Sequence, residues 1–422
     1  MQTTKIYRLP FLPITIFQQL QASSQESAKV WNICKDLHKQ CRVSHSAWLT
    51  LTDLQKHTQG KFELHSQSIQ LVCRAFAGNI DSTKENRKHG LKDIKYPWRD
   101  KRFYPTYWHG QAVKHQKGKT VLPMGKGRKP ISLPVEIDPN CTIVKLVWNR
   151  GFELHVSRDV EVSPRVKTNI TAALDLGEIH LAAVATSSGA GLIATGRGIR
   201  SLKQQRHKQL RQISKKQSRC QKYSKRWKKL QRSKNKLLLR IERRIKDLRH
   251  KATTQVVSFL KAQGVSQLYV GNPDGVRRKN CGRKHNQRMS GWEYGTDINY
   301  LTYKCQIAGI KVSDGNERGS SSTCPECGHR HKPRNRNWKC SKCKFVGHRD
   351  MVGALNIHHI GFGKKIVMPS SITYLRPGIT RSSSSGDTRQ RCLTLVQGSA
   401  TCTTGSSTED WSTLSLGWKP TP

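Results

Sequence analysis

Residues 316–350 read NERGSSSTCPECGHRHKPRNRNWKCSKCKFVGHRD. Cys324-Pro-Glu-Cys327 and Cys340-Ser-Lys-Cys343 are two CxxC pairs separated by twelve residues, the spacing of a zinc ribbon. Four thiolates close a tetrahedral site and leave no open coordination position. The zinc is therefore expected to be structural, contributing on the order of 10 kcal/mol or more to folding of the ribbon. The rival readings, an iron–sulfur site or a redox pair, suit a loop this rich in Lys, Arg and His poorly. With four thiolates present, His329, His331 and His348 are expected to be solvent or phosphate contacts.

An acid flanks the ribbon on each side: Glu317 at the end of a strand, Asp350 at the start of a short helix. A ribbon inserted between them would bring the two together. A third acid, Asp175, stands inside the apolar run AALDLG (172–177). Burying a carboxylate there is costly unless it is paired or binds a cation, the other reading being a turn acid at a strand end.

Upstream, KIYRL reads as a strand, followed by a helix that Ser23 and Glu26 would open as a capping box. Helical, polar sequence runs to about residue 90. Aromatics, prolines and short alternating runs such as TIVKLVW and FELHVS then predict a small β-unit to about residue 165, which the N-terminal strand could complete. Trp98, Tyr104 and Trp108 in this region could stack on a nucleic-acid duplex or pack in the core. NITAALDLGEIHLAAVATSSGAGLIATG predicts three strands in a meander opening a new domain. Two helices follow, the second with an apolar stripe at Leu237, Ile241, Ile245, Leu248, Ala252, Val256 and Leu260. After them come a strand (LYVG, 268–271), a basic loop, a helix around DINYLTYKCQIAG and a strand at IKVSD. Beyond about residue 365 the chain is Ser/Thr/Gly-rich without periodicity and reads as a disordered tail.

The 422 residues allow two or three domains, and 76 Lys+Arg against 27 Asp+Glu give a formal charge of +49. Nucleic acid is the expected partner of such a chain, because its basic residues are interleaved with Trp, Tyr and His rather than gathered into a lipid anchor. Lys203 to Lys251 alone holds 21 Lys/Arg and two acids, too unbalanced for an ordinary solvated face. Arg206, Arg211, Lys215, Lys216, Arg226, Lys229, Arg243, Arg244 and Lys251 are its candidate nucleic-acid contacts. Thirteen cysteines, nine of them scattered, point to a reducing compartment. No segment has the apolar length of a membrane span and the N-terminus lacks a signal-peptide layout, so a cytoplasmic, nucleoid-associated location is expected.

ALDLG, the basic helical pair, ERGSSSTCPECG and HRDMVGALNI together resemble the TnpB (OrfB-type) proteins of bacterial insertion elements, relatives of the type V CRISPR effectors and of Fanzor proteins. The resemblance spans roughly residues 1–362 and is specific from about 170 to 360. It implies an α/β fold: an RNase H-like, RuvC-type nuclease domain with the zinc ribbon inserted, behind an N-terminal β-barrel (wedge) holding a helical recognition lobe. The implied boundaries are 1–22 with 91–168 for the barrel, 23–90 for the helical insertion, 169–318 for the nuclease domain, 319–347 for the ribbon, 348–365 for a last nuclease helix and 366–422 for the tail. It further implies guide RNA and target DNA as partners and a Mg²⁺-dependent cut beside a short transposon-associated motif, which would assist transposon retention without strand transfer. Asp175 matches the first RuvC acid, Asp350 the third, and Cys324, Cys327, Cys340 and Cys343 the zinc ligands.

The second acid departs from the pattern. Most of the family ends the LYVG strand with a glutamate, and here Gly271 occupies that place. One implication is a nuclease-inactive, RNA-guided DNA-binding protein. The other follows branches in which the glutamate has moved to the strand before the ribbon, where Glu317 lies. Asp175, Glu317 and Asp350 would then form the Mg²⁺ site, three carboxylates being enough for a cation that keeps waters. Asp274 is a lesser candidate because its Pro-Asp-Gly setting favours a turn.

Overall fold

The computed structural model describes residues 1–378 apart from 10, 117, 126, 274, 276–279 and 332–334, together with residues 392–394. Asp274 therefore lies outside the described residues, as does most of the segment expected to be a tail.

The chain opens with β1 (Gln2–Arg8) and the helices α1 (Ile14–Val43), α2 (Leu51–Thr58) and α3 (Ser66–Lys88). Strands β2 (Thr106–His109), β3 (Lys114–Gln116), β4 (Lys119–Leu122), β5 (Ile131–Leu133), β6 (Cys141–Trp148) and β7 (Phe152–Asp159) follow. β1 crosses the inserted helices to pair antiparallel with β7, giving one sheet in the order β1-β7-β6-β2 and a second of β3-β4-β5. The two sheets share a core of Trp108, Leu122, Ile131, Leu133, Val144, Leu146 and Leu154. Trp108 is buried there and donates to the Pro123 carbonyl, while Tyr104 stacks on Trp31 and Trp98 packs against Trp48 and Tyr96. All three aromatics are packing residues.

The capping box expected at Ser23 and Glu26 is not one. α1 starts nine residues earlier, at Ile14 behind Pro13, so the helical insertion also begins before residue 23. Ile16, Phe17 and Leu20 give the first turns an apolar face on the β core. Ser23 turns its hydroxyl back to the Leu20 carbonyl, and Glu26 pairs with Lys29. A true capping box opens α2, between Thr50 and Asp53.

The second half is built on a seven-stranded sheet in the order β12-β11-β8-β9-β10-β15-β16. β8 (Thr171–Asp175), β9 (His180–Thr186) and β10 (Ala190–Thr195) form an antiparallel meander. α4 (Arg197–Gln217) and α5 (Lys225–Ala262) then lead to β11 (Gln267–Asn272), which lies parallel to β8. α6 (Arg283–Ser290) and α7 (Tyr294–Ile307) lead to β12 (Lys311–Asn316), parallel to β11. β13 (Asn337–Lys339) and β14 (Val346–His348) form the ribbon hairpin, and α8 (Arg349–Phe362) follows it. β15 (Ser371–Leu375) pairs parallel with β10, and β16 (Cys392–Thr394) antiparallel with β15. Residues 371–375, expected in the tail, are thus part of the sheet: Ile372 is one more apolar side chain for the core beneath α8.

Strand alternation divides the core. Ala172, Leu174, Ala182, Val184, Leu192 and Ala194 face α5 and α7, while Ala183, Ala185 and Ile193 face α8. Beside the first layer Arg249 of α5 meets Asp297 of α7 with Nε 3.4 Å from Oδ1, both side chains almost wholly buried. Burial raises the Asp297 carboxyl to about 6 against the opposing charges of Arg249 and Lys203. Removing one partner would strand the other in the core. Arg249→Ala is therefore expected to cost about 3–5 kcal/mol, read as a lowered denaturant midpoint.

Candidate functional site

The parallel strands β8, β11 and β12 end together, and ligands of α/β sheets gather at such carboxyl ends. The register pairs Leu174 with Val270 and Gly271 with Gly315. Leu174 and Val270 face α5, so alternation turns Asp175, Gly271, Gly315 and, two residues on, Glu317 toward the α8 side. Asp175 is the last residue of its strand, partly buried.

Two glycines record what sits there. A Cβ on Gly271 would lie 2.6 Å from Glu317 Oε2 and 2.6 Å from Ile357 Cδ1, so the Glu317 carboxylate fills the space above Gly271. A Cβ on Gly353, in the second turn of α8, would run into the Asp175 carboxylate. Only glycine lets the helix backbone approach that closely.

The charges behave as neighbours. Burial, then the carboxylates of Glu317 and Asp350, hold the Asp175 pKa well above the usual carboxylate range. Burial raises Glu317 to about 7, and its Oε2 is buried without a hydrogen-bond partner among the described residues. An unpartnered buried carboxylate oxygen near Asp175 suits a hard cation, yet among the described residues the clusters whose ligand atoms all lie within 4.8 Å of one another are the four cysteines and His180, His348 and Asp350; Asp175, Glu317 and Asp350 do not form one. Asp350 differs. Burial would raise it, but a 2.5 Å hydrogen bond with His180 Nδ1 and the charge of Arg336, whose Nη1 donates at 2.6 Å, bring it below its usual value. His348 caps α8 through the Asp350 N–H, and His180, His348 and Asp350 each bring a ligand atom within 4.8 Å of the others.

The four cysteine sulfurs also lie within 4.8 Å of one another, with Cys324 3.5 Å from Cys343 and Cys327 3.6 Å from Cys340. Zn–S bonds of about 2.3 Å imply sulfurs about 3.8 Å apart, so the cluster fits zinc. The Cys343 N–H, and after it that of Lys342, lower Cys340 to about 6, favouring the thiolate a metal needs; burial raises Cys324 to about 12. The ribbon is fastened to α8. Trp338 packs with Cys324, Cys340 and Val352, and Asn356 Nδ2 donates to the carbonyls of Ser320 and Thr323.

Residues 133–277 match the family model OrfB_IS605, a probable transposase, and residues 294–357 match that of the Cas12f1-like TNB domain. The chain carries an OrfB-type segment followed by a Cas12f1-like TNB domain. The fold is similar to that of Cas12f1 solved as a complex with sgRNA and target DNA: TM-score 0.58 at 15% identity, covering 81% of this chain and 82% of that one. It is also similar to the mini RNA-guided endonuclease CRISPR-Cas_phi3: TM-score 0.50 at 10% identity, covering 87% and 94%. No curated protein matches the chain. The OrfB-type segment contains Asp175 and Gly271; the TNB segment contains Glu317, the four cysteines and Asp350.

Of the candidate nucleic-acid contacts on α4 and α5, Arg211, Lys215, Lys216, Arg226, Lys229, Arg244 and Lys251 are exposed, while Arg206 and Arg243 are half-buried. Arg243 is better assigned to the fold: its Nη2 donates at 2.7 Å to the buried Glu153 of β7, joining α5 to the N-terminal sheet. His348, expected as a solvent or phosphate contact, is instead a helix cap, and His331 packs on Trp338. Sequence reasoning missed His180 and Arg336. The available signal was position, since His180 opens the strand after Asp175 and Arg336 lies in the loop between the two knuckles.

Proposed function

We propose that this chain is an RNA-guided, Mg²⁺-dependent DNA endonuclease of an insertion sequence, with an RNase H-like, RuvC-type centre formed by Asp175, Glu317 and Asp350. The observation that carries this reading is the Glu317 carboxylate lying over Gly271 with an unpartnered buried oxygen. A carboxylate has been kept at that strand end although the residue supplying it is 46 positions further along the chain. Mg²⁺ held by these oxygens would supply water activation and leaving-oxygen stabilisation for an in-line attack on a phosphodiester. Asp175 and Glu317 would offer donor atoms from two neighbouring strand ends, and Asp350, at the start of α8, would have to close on them to complete the set. The matched families and the fold support guide RNA and target DNA as partners, as does the exposed basic face of α4 and α5. The cut would lie beside a short transposon-associated motif, with sequence read mainly by base pairing.

A second reading, a guided DNA binder without cleavage, draws on one observation. Asp350 is already paired with Arg336 and His180, which would have to yield for it to hold a cation. Cleavage assays on the guide-loaded protein separate the two. Asp175→Ala and Asp350→Ala are expected to abolish Mg²⁺-dependent cutting while guide RNA still copurifies; a wild-type chain that binds its target without cutting favours the binder.

Gly353→Ala adds one methyl group against Asp175. Misplacing a reacting group by about 1 Å costs about 100-fold, and that loss of single-turnover rate is expected here with little change in melting temperature.

A further inference from the structure

A cleft of about 850 Å³ opens between α4 and residues 281–292. Six cations line it: Arg200, Lys203 and Lys208 from α4, Arg283, Lys284 and Arg288 from α6. Lys203 is buried against the floor, its Nζ 4.5 Å from the centre of the Trp292 ring and donating to the Gly291 carbonyl. Among the described residues one acid lines the cleft: Glu178, in the turn three residues beyond Asp175.

Glu178 sits between two guanidinium groups, with Oε1 3.2 Å from Arg200 Nε and Oε2 3.8 Å from Arg288 Nε. The contact is Coulombic rather than directional. Both Nε atoms are buried without a hydrogen-bond partner among the described residues. Unmet guanidinium donors converging on an undersized anion describe a phosphate site, because a phosphate offers more oxygens than a carboxylate to forked donors. The cleft also lies near two of the acids: Glu178 stands three residues beyond Asp175, the Tyr294 ring is 6.3 Å from Trp292 of the lining, and Tyr294 feels the carboxylates of Glu317, Glu178 and Asp175.

We propose that this cleft binds the sugar-phosphate backbone of a DNA single strand next to the phosphate to be cut, and that Glu178 is an internal anion holding Arg200 and Arg288 until a strand phosphate replaces it. The assignment rests on the nuclease reading for the identity of the strand. The mechanism is competition: the strand gains two guanidinium contacts and displaces one carboxylate.

The test uses the guide-loaded full chain carrying Asp175→Ala, so that nothing is cut, and a fluorescein-labelled single-stranded oligodeoxynucleotide read by anisotropy. Arg288→Gln and Arg200→Gln are each expected to weaken binding about tenfold. Glu178→Gln, which removes the competing charge and keeps the shape, is expected to strengthen it several-fold. Unchanged or weaker binding in Glu178→Gln, with the melting temperature preserved, would overturn the competition. Arginine variants that lose guide RNA but keep the oligodeoxynucleotide would overturn the ligand assignment. Because binding is the readout, a protein that never cuts can still pass; one that cuts normally but binds the strand equally well in every variant refutes the cleft alone.

Discussion

In Glu317→Ala, Mg²⁺-dependent cleavage is expected to fall by about three orders of magnitude or more, with guide RNA binding unchanged. The side chain lies against Gly271 at the end of β11, and among the described residues its Oε2 has no hydrogen-bond partner to lose. The loss should therefore appear in cation binding and catalysis rather than in stability, measured by single-turnover cleavage and by Mn²⁺ binding calorimetry. The geometry also defines a rescue. Gly271→Glu alone would collide with Glu317 and with Ile357. Combined with Glu317→Gly, it supplies a carboxylate from β11 to the space Glu317 vacates, and part of the cleavage should return; a double variant as inactive as Glu317→Ala would mean that the two positions are not interchangeable. The pH dependence has a definite sign. Burial raises Glu317 to about 7, so in the metal-free protein its charged form is the minority below that value. A cation must displace a proton there, and its affinity should climb as pH rises through about 7 and weaken below it. Glu317→Gln should flatten that part of the profile.

Cys324→Ser, or a strong chelator, is expected to unfold the ribbon and to remove cleavage along with one zinc per chain. Apparent binding free energies of structural zinc sites are of order 10 kcal/mol, and the core of this ribbon is small: Trp338, two of the cysteines and Val352 of α8, with Phe345 and Met368 packed against them. The effect should reach beyond the ribbon. Arg336 of the loop between the knuckles donates to Asp350, the Arg349 N–H donates to the Arg336 carbonyl, and Asn356 holds the chain before the first knuckle. Losing these frees the first turns of α8, which carry Asp350. Zinc content by atomic absorption, thermal melting and cleavage measured on one sample check the prediction; full activity in a zinc-free variant would mean that α8 does not need the ribbon.

Much of the site was legible without coordinates because its chemistry is local in the chain. Four cysteines at fixed spacing specify a tetrahedral thiolate cluster, and an acid in an apolar strand is too expensive to be incidental. The apolar stripe at Leu237 to Leu260 marked α5 because helical period reads through even an extreme density of lysine and arginine. Boundaries were less legible where local rules have two meanings. Ser23-x-x-Glu26 has capping-box spacing, yet the apolar contacts of Ile16, Phe17 and Leu20 carry α1 straight through it. Residues 371–375 sit in a low-periodicity stretch, but an open sheet edge at β10 recruits them by backbone pairing, which any side chain permits.

By itself, the sequence determined the four thiolates, the carboxylates at Asp175 and on either side of the ribbon, and the basic helical pair, since each is a matter of residue type and spacing, while the gap at Gly271 was what the family resemblance implied. Only the tertiary structure decided what fills that gap. Which carboxylate reaches the end of β11 depends on the register of β12 against β11, on the parity that turns Glu317 and Asp175 to one face, and on a glycine in α8 that lets the helix close over them. None of these is a property of neighbouring residues. The same holds for Asp350, whose position in the chain announces a carboxylate, but whose pairing with His180 and Arg336 exists only because β9, the ribbon and α8 meet at one point.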